Sequence, residues 1–201
     1  MYIESEEALR ELYGFPKGRA KEKLLTALEK HSINFIERSP FATISTYGES
    51  GMADCSPRGG KPGFIKVFNS GCIVIPDSKG NNRLDSLVNI LQTGSLGCLF
   101  LIPGVDETLR VNGTARLSTD ARYLELFSSE KNPPKTCIEL TVKEVFLHCA
   151  KALMRSELWS PESRIERSSL PTIGKMMNDQ LSINEEAESQ EEMVERYRQD
   201  L

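Results

Sequence analysis

The sequence lacks long apolar runs and paired cysteines. Its longest apolar run, residues 96–102, falls far short of the about 20 residues that a membrane helix needs. The start, MYIESEEALREL, is acidic and lacks the basic-then-apolar pattern of a secretory signal. No Cys-x-x-Cys pair occurs, which argues against a zinc cluster or a dithiol centre. Cysteines that occur singly usually pack as small apolar side chains in proteins of a reducing compartment. All five cysteines are of this kind: Cys55, Cys72, Cys98, Cys137 and Cys149. We therefore expect a cytoplasmic protein without a metal.

The chain also lacks a net positive charge. The 201 residues carry a formal net charge of −4, with 39% hydrophobic and 27% charged residues, which is ordinary for a globular protein. Residues 162–201 hold ten acidic and five basic side chains, a net of −5, so the remaining 161 residues sum to +1. This distribution argues against a broad nucleic-acid-binding surface, and it makes the placement of the few cations informative.

The length fits one sizeable domain, and the sequence contains no internal repeat. We expect N-terminal helices in residues 1–40, a β-rich core in residues 41–160 and a polar helical extension in residues 161–201. Residues 5–13 and 18–38 predict helices, the second with an apolar stripe of Leu24, Leu25, Leu28, His31 and Phe35. The last thirty residues predict a polar helix, either solvated or docked on a partner subunit through Ala187, Met193, Val194 and Tyr197.

The centre of the chain has the period of strands. FATISTYGESGMADCS predicts a hairpin that turns at residues 48–51. Further strands are predicted for FIKVF, CIVIP, LGCLFLI, TLRVNG and TCIELTVKEVFLHC. Residues 120–127 predict a short helix, and so does NRLDSLVNIL, with Leu84, Leu87, Val88 and Leu91 on one face. Because parallel crossovers each need a helix, six or seven strands with few helices favour a closed antiparallel barrel flanked by helices, an α+β fold.

Residues 56–63, SPRGGKPG, place two cations among three glycines and two prolines. This composition predicts a loop rather than a helix or a strand. Ser56 and Arg58 lie on one face of the preceding strand and emerge together where it ends. The stretch fits either a solvated turn or a loop that binds an anion.

A second polar loop, PDSKGNNRLDSL, contains Ser78 and Lys79, and its Asn82 and Arg83 are expected to open a helix. The N-terminus of a helix has unpaired N–H groups and a partial positive charge, which suits a phosphate. Arg83 would add a bidentate contact. An ordinary helix cap explains the same residues equally well.

The strand ETLRVNG places Thr108, Arg110 and Asn112 on one face, with Leu109 and Val111 on the other. If the apolar face enters the core, Arg110 points outward. It is then either an ion-pair partner across the sheet or a contact for a ligand.

The segment HCAKALMRSELW repeats large polar or aromatic residues every four positions: Lys151, Arg155 and Trp159. On a helix this spacing places them on one face. They are either a ligand-binding face or a solvated face with a packing tryptophan. His148 is interpreted as a structural histidine rather than a catalytic base.

Six stretches of the sequence, taken in order, resemble the pyridoxamine 5'-phosphate oxidase-like flavoproteins. They are FATIST, DCSPRGGKPGF, IPDSKGNNRLDSL, LFLIPG, ETLRVNG and HCAKALMRSELW. The likeness runs from about residue 20 to about residue 190 and is greatest to a subgroup of FMN-dependent enzymes of unknown substrate. It implies a split β-barrel and a homodimer with two FMN sites in clefts between the subunits.

Carried over by position, the resemblance assigns the FMN phosphate to Ser56, Arg58, Ser78, Lys79, Asn82 and Arg83. A glutamine that contacts the flavin ring in the family's RQVRVEG strand corresponds to Thr108, so that contact is shortened or lost. Arg110 and Gly113 match the family. Lys151, Arg155 and Trp159 lie where the family completes the cofactor cleft across the dimer.

The chain departs from true pyridoxine phosphate oxidases after Trp159. It has no Arg-x-His substrate motif there and continues into PTIGKMMNDQLSINEEAESQ, so oxidation of vitamin B6 is not expected. The leading hypothesis is an FMN-dependent oxidoreductase that transfers hydride from an unknown small molecule to the flavin. The alternatives are a non-catalytic carrier or sensor of flavin, haem or deazaflavin, and a structural barrel without a cofactor.

Overall fold

Seven antiparallel strands form one sheet in this computed structural model, which describes residues 2–18 and 22–200. The strands are β1 (Phe41–Tyr47), β2 (Ala53–Gly59), β3 (Lys66–Asn69), β4 (Cys72–Pro76), β5 (Ser95–Leu101), β6 (Thr108–Ser118) and β7 (Cys137–His148). Their spatial order is β2-β1-β5-β6-β7-β4-β3. The predicted strands and the α+β class are confirmed.

The sheet is not closed, so the prediction of a closed barrel is wrong. Within residues 2–18 and 22–200, the edge strands β2 and β3 form no ladder with each other. Residues 56–59 belong to β2, so the prediction of a loop over residues 56–63 is wrong in its first half. Pro57 lacks an N–H group, and an edge strand tolerates proline because one of its sides needs no partner. The β2 edge is therefore left open.

The core lies on one face of the sheet, where rows of apolar side chains cross neighbouring strands. Ala42 of β1, Phe100 of β5 and Leu109 of β6 form one such fully buried row. Helices α2 (Lys30–Arg38) and α3 (Asp85–Thr93) cover this face through Ile36, Leu87 and Ile90. Alternation of side chains along each strand thus fixes which residues reach the core.

A second cluster covers β4 from its other side. It contains Tyr123 and Phe127 from α4 (Ala121–Leu124) and the 3-10 turn Glu125–Phe127, with Cys72, Val74 and Cys137. All five cysteines are free, and Cys98 and Cys137 are buried. Burial raises the pKa of Cys98 to about 12 and that of Cys137 to about 11, so both remain thiols that pack as small apolar groups.

The predicted helix over residues 18–38 is wrong in its first half. Residues 19–21 lie outside the described residues. Leu25 instead exchanges backbone hydrogen bonds with Val145 of β7, at 2.9 and 2.8 Å, so the chain extends the sheet there. Helix α2 begins at Lys30, and its capping box joins Glu29 and Ser32. The first helix, α1 (Glu6–Tyr13), agrees with the prediction.

Two other helical patterns need correction. In α3 the helix turns Leu87 and Ile90 to the core, whereas Leu84, Val88 and Leu91 are exposed. The C-terminal extension contains two helices rather than one, α6 (Ile173–Leu181) and α7 (Gln190–Arg198), after α5 (Lys151–Ser156). The error in α3 arises because apolar spacing alone does not tell which of two overlapping stripes meets the sheet.

Over residues 2–18 and 22–200, the helices are too short or too polar to cross a membrane. The same residues contain no group of three or more histidine, cysteine, aspartate or glutamate side chains arranged to hold a metal ion.

Candidate anion-binding site

A cavity of about 800 Å³ opens at the β2 edge of the sheet. Phe64 and three segments form its walls: the end of β2, residues 76–87 from the end of β4 onward, and the loop at residues 131–135. All six residues expected to hold a phosphate line it, namely Ser56, Arg58, Ser78, Lys79, Asn82 and Arg83. Segments far apart in sequence therefore meet as the sequence predicts, and their role in binding stays a prediction.

On the β2 wall, Ser56 and Arg58 point to the same side as the core. Arg58 pairs with Ala42 across the ladder, in the row that continues to Phe100 and Leu109. Because β2 is the edge strand, this row ends at Arg58, and the half-buried side chain lines the cavity. Its Nη1 donates to the carbonyl of Pro57 at 2.8 Å.

A hydroxyl network holds Ser56 in place. Oδ2 of Asp54 accepts hydrogen bonds from Ser86 at 2.6 Å, from Ser56 at 3.3 Å and from Thr46 at 3.4 Å. The Ser86 and Ser56 hydroxyls are 3.2 Å apart. Ser86 is buried at the start of α3, so the network ties this helix to β2 and fixes the cavity wall.

Residues 81–83 precede the helix instead of opening it. Helix α3 begins at Asp85, after Leu84 as its N-cap. Asn82 and Leu84 both have φ of 59°, in the left-handed region that costs a residue other than glycine about 1 kcal/mol or more. Arg83 is held by Asp85, with 2.8 Å between Nε and Oδ2, and that hydrogen bond raises the pKa of the guanidinium.

Cations outnumber carboxylates along the cavity wall. Among the lining residues the carboxylates are Asp77 and Asp85, and the cations are Arg58, Lys79, Arg83, Lys131 and Lys135. Burial raises the pKa of Asp77, against the opposing effect of the Arg58 guanidinium. The wall therefore favours an anion, and it offers both guanidinium and hydroxyl donors to one.

Thr108 and Arg110 lie on the opposite face of the sheet, as the alternation of β6 requires. Leu109 and Val111 are buried in the core, which confirms that Arg110 points outward. The Arg110 guanidinium lies over the Phe146 ring, 3.9 Å from its centroid. Its buried Nε has no hydrogen-bond partner among the described residues. One chain by itself does not bring Arg110 to the cavity.

His148 and Lys23 belong to the same outer surface. The His148 ring is 4.7 Å from the Phe146 ring, and Lys23 Nζ is 4.8 Å from it. Burial, with smaller effects of Arg110 and Lys23, lowers the pKa of His148. We name this group of Lys23, Arg110, Phe146 and His148 the outer cationic face.

The prediction that Lys151, Arg155 and Trp159 share one helical face is wrong at Trp159. Helix α5 ends at Ser156, and Glu157 adopts φ of 49°, which turns the chain away from the helix axis. The Trp159 indole N–H donates to the carbonyl of Val105 at 2.9 Å, so the ring packs against the loop before β6. Lys151 and Arg155 are exposed on α5.

The sequence profile of the pyridoxamine 5'-phosphate oxidase family matches residues 28–149, which include the whole sheet. The chain belongs to this family. No curated protein sequence matches the chain.

Solved structures resemble this family member at low sequence identity. HupZ of Group A Streptococcus is 16% identical, with a TM-score of 0.50 over 60% of this chain and 93% of HupZ. The FAD binding protein of Mycobacterium smegmatis is 13% identical, with a TM-score of 0.43 over 62% of this chain and 97% of that one. General stress protein 26 of Bacillus anthracis is 11% identical, with a TM-score of 0.44 over 59% and 92%.

Sequence reasoning missed part of the cavity of this pyridoxamine 5'-phosphate oxidase family member. Ser86 and the loop residues Lys131, Asn132 and Lys135 also line it. The loop has the sequence KNPPK, so it combines two prolines with two cations as SPRGGKPG does. This shared composition is the sequence feature that could have identified the loop as part of the cavity.

Proposed function

We propose that the protein is a cytoplasmic, homodimeric FMN-binding oxidoreductase that acts on a small molecule. Membership of the pyridoxamine 5'-phosphate oxidase family supports this proposal. The observation that carries it is the cavity at the β2 edge, where Arg58, Lys79 and Arg83 from two separate segments line the walls beside serine hydroxyls.

The residues present fit a phosphate monoester. Such a group carries about two negative charges and accepts several hydrogen bonds. Arg58 and Arg83 supply planar, permanently charged donors, Lys79 adds a point charge, and the hydroxyl of Ser78 adds a neutral donor. A cavity of about 800 Å³ also lies within the range of cofactor sites, about 300–1,000 Å³.

In this proposal the residues of the chain bind and orient, and the bound flavin supplies the hydride chemistry. Arg58 and Arg83 anchor the phosphate end, which fixes the position of the rest of the molecule. Asp77 is the lining carboxyl best suited to hold a proton, because burial raises its pKa. The cations of the wall stabilise negative charge on the ligand.

The homodimer is part of the same proposal. The cavity and the outer cationic face lie on opposite sides of the sheet of one protomer. A flavin that contacts both Arg58 and Arg110 must therefore lie between two subunits. Exposed apolar side chains on α3, Leu84, Val88 and Leu91, are further surface that a second subunit would cover.

The spectrum of the purified protein provides the first test. We expect a yellow protein whose released cofactor has the mass of FMN. A colourless protein that takes up no added FMN would overturn the proposal. Bleaching of the bound flavin by NAD(P)H without an acceptor, and continued oxidation of NAD(P)H once an acceptor is added, then separate an oxidoreductase from a flavin carrier.

Substitution of the two arginines tests the phosphate site. We expect Arg58→Ala to weaken FMN binding by about 1.5–3 kcal/mol, the usual contribution of a hydrogen bond to a charged group. Adding Arg83→Ala should weaken binding further. Arg116→Ala is the control, since Arg116 pairs with Glu139 away from the cavity. Equal FMN affinity in all three variants and the parent would remove the phosphate assignment, as measured by fluorescence titration.

A further inference from the structure

The end of the C-terminal extension lies on the rim of the cavity. Lys79 Nζ is 2.6 Å from Oδ1 of Asp200, and Asn132 Nδ2 donates to the carbonyl of Asp200 at 3.1 Å. Lys131 Nζ lies 3.4 Å from the carbonyl of Arg198 and 3.5 Å from that of Gln199. All three rim residues, Lys79, Lys131 and Asn132, line the cavity.

Contacts within the C-terminal extension hold Asp200 at this position. Glu188 pairs with Arg196, with 2.7 Å between Oε2 and Nη2, and its carbonyl accepts a hydrogen bond from Thr172 at 3.3 Å. A capping box joins Ser189 and Glu192 at the start of α7. After α7, the Asp200 N–H donates to the carbonyl of Tyr197 at 2.9 Å, which holds the last described residue against the helix.

We propose that residues 190–200 act as an intramolecular competitor, in which the Asp200 carboxylate occupies the cation that an anionic ligand needs. This inference rests on the proposed function, because that function assigns Lys79 to the phosphate. One ammonium group neutralised by a carboxylate attracts a second anion less strongly, so the ligand must displace Asp200 or bind without Lys79. The side chains of Lys131 and Asn132 donate to the backbone carbonyls of Arg198 and Asp200 and so hold the segment next to Lys79.

The ion pair is exposed enough to open. The side chains of Lys79 and Asp200 are 66% and 44% exposed. Exposed pairs of this kind change an equilibrium by about twofold to fivefold, which suits a contact that a ligand displaces. The competition therefore tunes affinity and leaves the cavity accessible.

Titration of FMN against matched variants tests the competition. We expect Asp200→Asn to bind FMN about two- to fivefold more tightly than the parent at low salt. Asp179→Asn should leave the affinity unchanged, since it removes an acid of similar exposure that pairs with Lys175 in the same extension. In a Lys79→Ala background, Asp200→Asn should have no effect. The difference should shrink at about 1 M salt, where the Debye length is about 3 Å.

Equal affinities of the parent and Asp200→Asn would overturn the competition while the FMN site stands. If FMN binds to none of the variants, the proposed function fails instead. Hydrogen exchange of residues 190–200 with added inorganic pyrophosphate then decides the competition separately. Faster exchange in the parent, absent in Lys79→Ala, supports displacement of the segment, and unchanged exchange overturns it.

Discussion

At Gly113, the backbone of β6 passes directly against β7, where the register between the two strands shifts. A Cβ atom at this position would lie 1.9 Å from the carbonyl oxygen of Thr141, which is itself held in the strand. The motif ETLRVNG marks Gly113 as a match to the family, but only the pairing of β6 with β7 shows why a side chain is excluded.

We expect Gly113→Ala to lower the free energy of unfolding by about 3 kcal/mol, at the upper end of overpacking costs. The backbone fixes both the added Cβ atom and the Thr141 carbonyl oxygen, so no change of side-chain rotamer relieves the clash. Urea unfolding followed by circular dichroism measures the effect. Gly71→Ala is the control, because a Cβ there meets its nearest atom at an ordinary 3.5 Å. Similar stability of the two variants would show that the strands separate at little cost.

Residue types marked the candidates for the cavity, because arginine, lysine and serine beside glycine and proline are donors that suit an anion. The resemblance to the family then assigned these candidates to one phosphate. Ser56 and Arg58 meet Ser78, Lys79, Asn82 and Arg83 as expected. Ser86 was missed, since its role depends on Asp54, a partner 32 positions away. A contact of that kind leaves no trace in the local pattern.

At the scale of elements, strands were easier to predict than helix boundaries. Strands such as β1 and β5 bury alternate residues, and that two-residue period is visible in the sequence. The start of α2 was misplaced because Leu24 and Leu25 continue the apolar spacing although Leu25 pairs with β7. The residue that marks the true start of α2 is its N-cap, Glu29. Glutamate is not a preferred N-cap residue, so the sequence gives no clear signal there.

We expect Glu29→Ala to lower the free energy of unfolding by about 1 kcal/mol at neutral pH, as the loss of a cap does. Backbone N–H donation by His31, with that of Ser32, lowers the pKa of the Glu29 carboxyl below 4.5. Its contribution is therefore present above pH 4.5 and is lost as the pH falls through the folded-state pKa.

Thermal unfolding of the parent and of Glu29→Ala from neutral to acid pH measures this effect, and the two curves should converge at low pH. Glu37→Ala on the same helix is the control, since its side chain is exposed near the other end. A stability difference that persists undiminished at low pH would contradict a role for the ionised cap.

At the scale of the whole molecule, the sequence predicted six or seven strands, and the structure has seven, but the predicted closure of the sheet was wrong. Closure depends on strand tilt and on which edges meet, and these are set by contacts between distant segments. The same limit applies to the faces of the sheet. Arg110 was correctly predicted to point outward, but its separation from Arg58 became clear only from the ladder through β1, β5 and β6.

Subunit mixing tests whether the two faces meet across a dimer. We expect Arg58→Ala/Arg83→Ala and Arg110→Ala each to bind FMN poorly as pure proteins. Random reassembly of equal amounts makes about half of the dimers mixed, each with one intact site if the two faces come from different subunits. FMN binding should then return to about a quarter of the parent's sites. Absence of any recovery would place the FMN site within one chain or remove Arg110 from it.

Pro57 has a consequence beyond the cavity that it adjoins. The outer strand of an open sheet is the usual place where a stray strand from another molecule adds and starts an aggregate. A proline in that strand supplies no N–H group for the incoming chain, so polymerisation along β2 is interrupted there. The chain thus keeps a sheet margin exposed to solvent at a lower risk of cross-β growth.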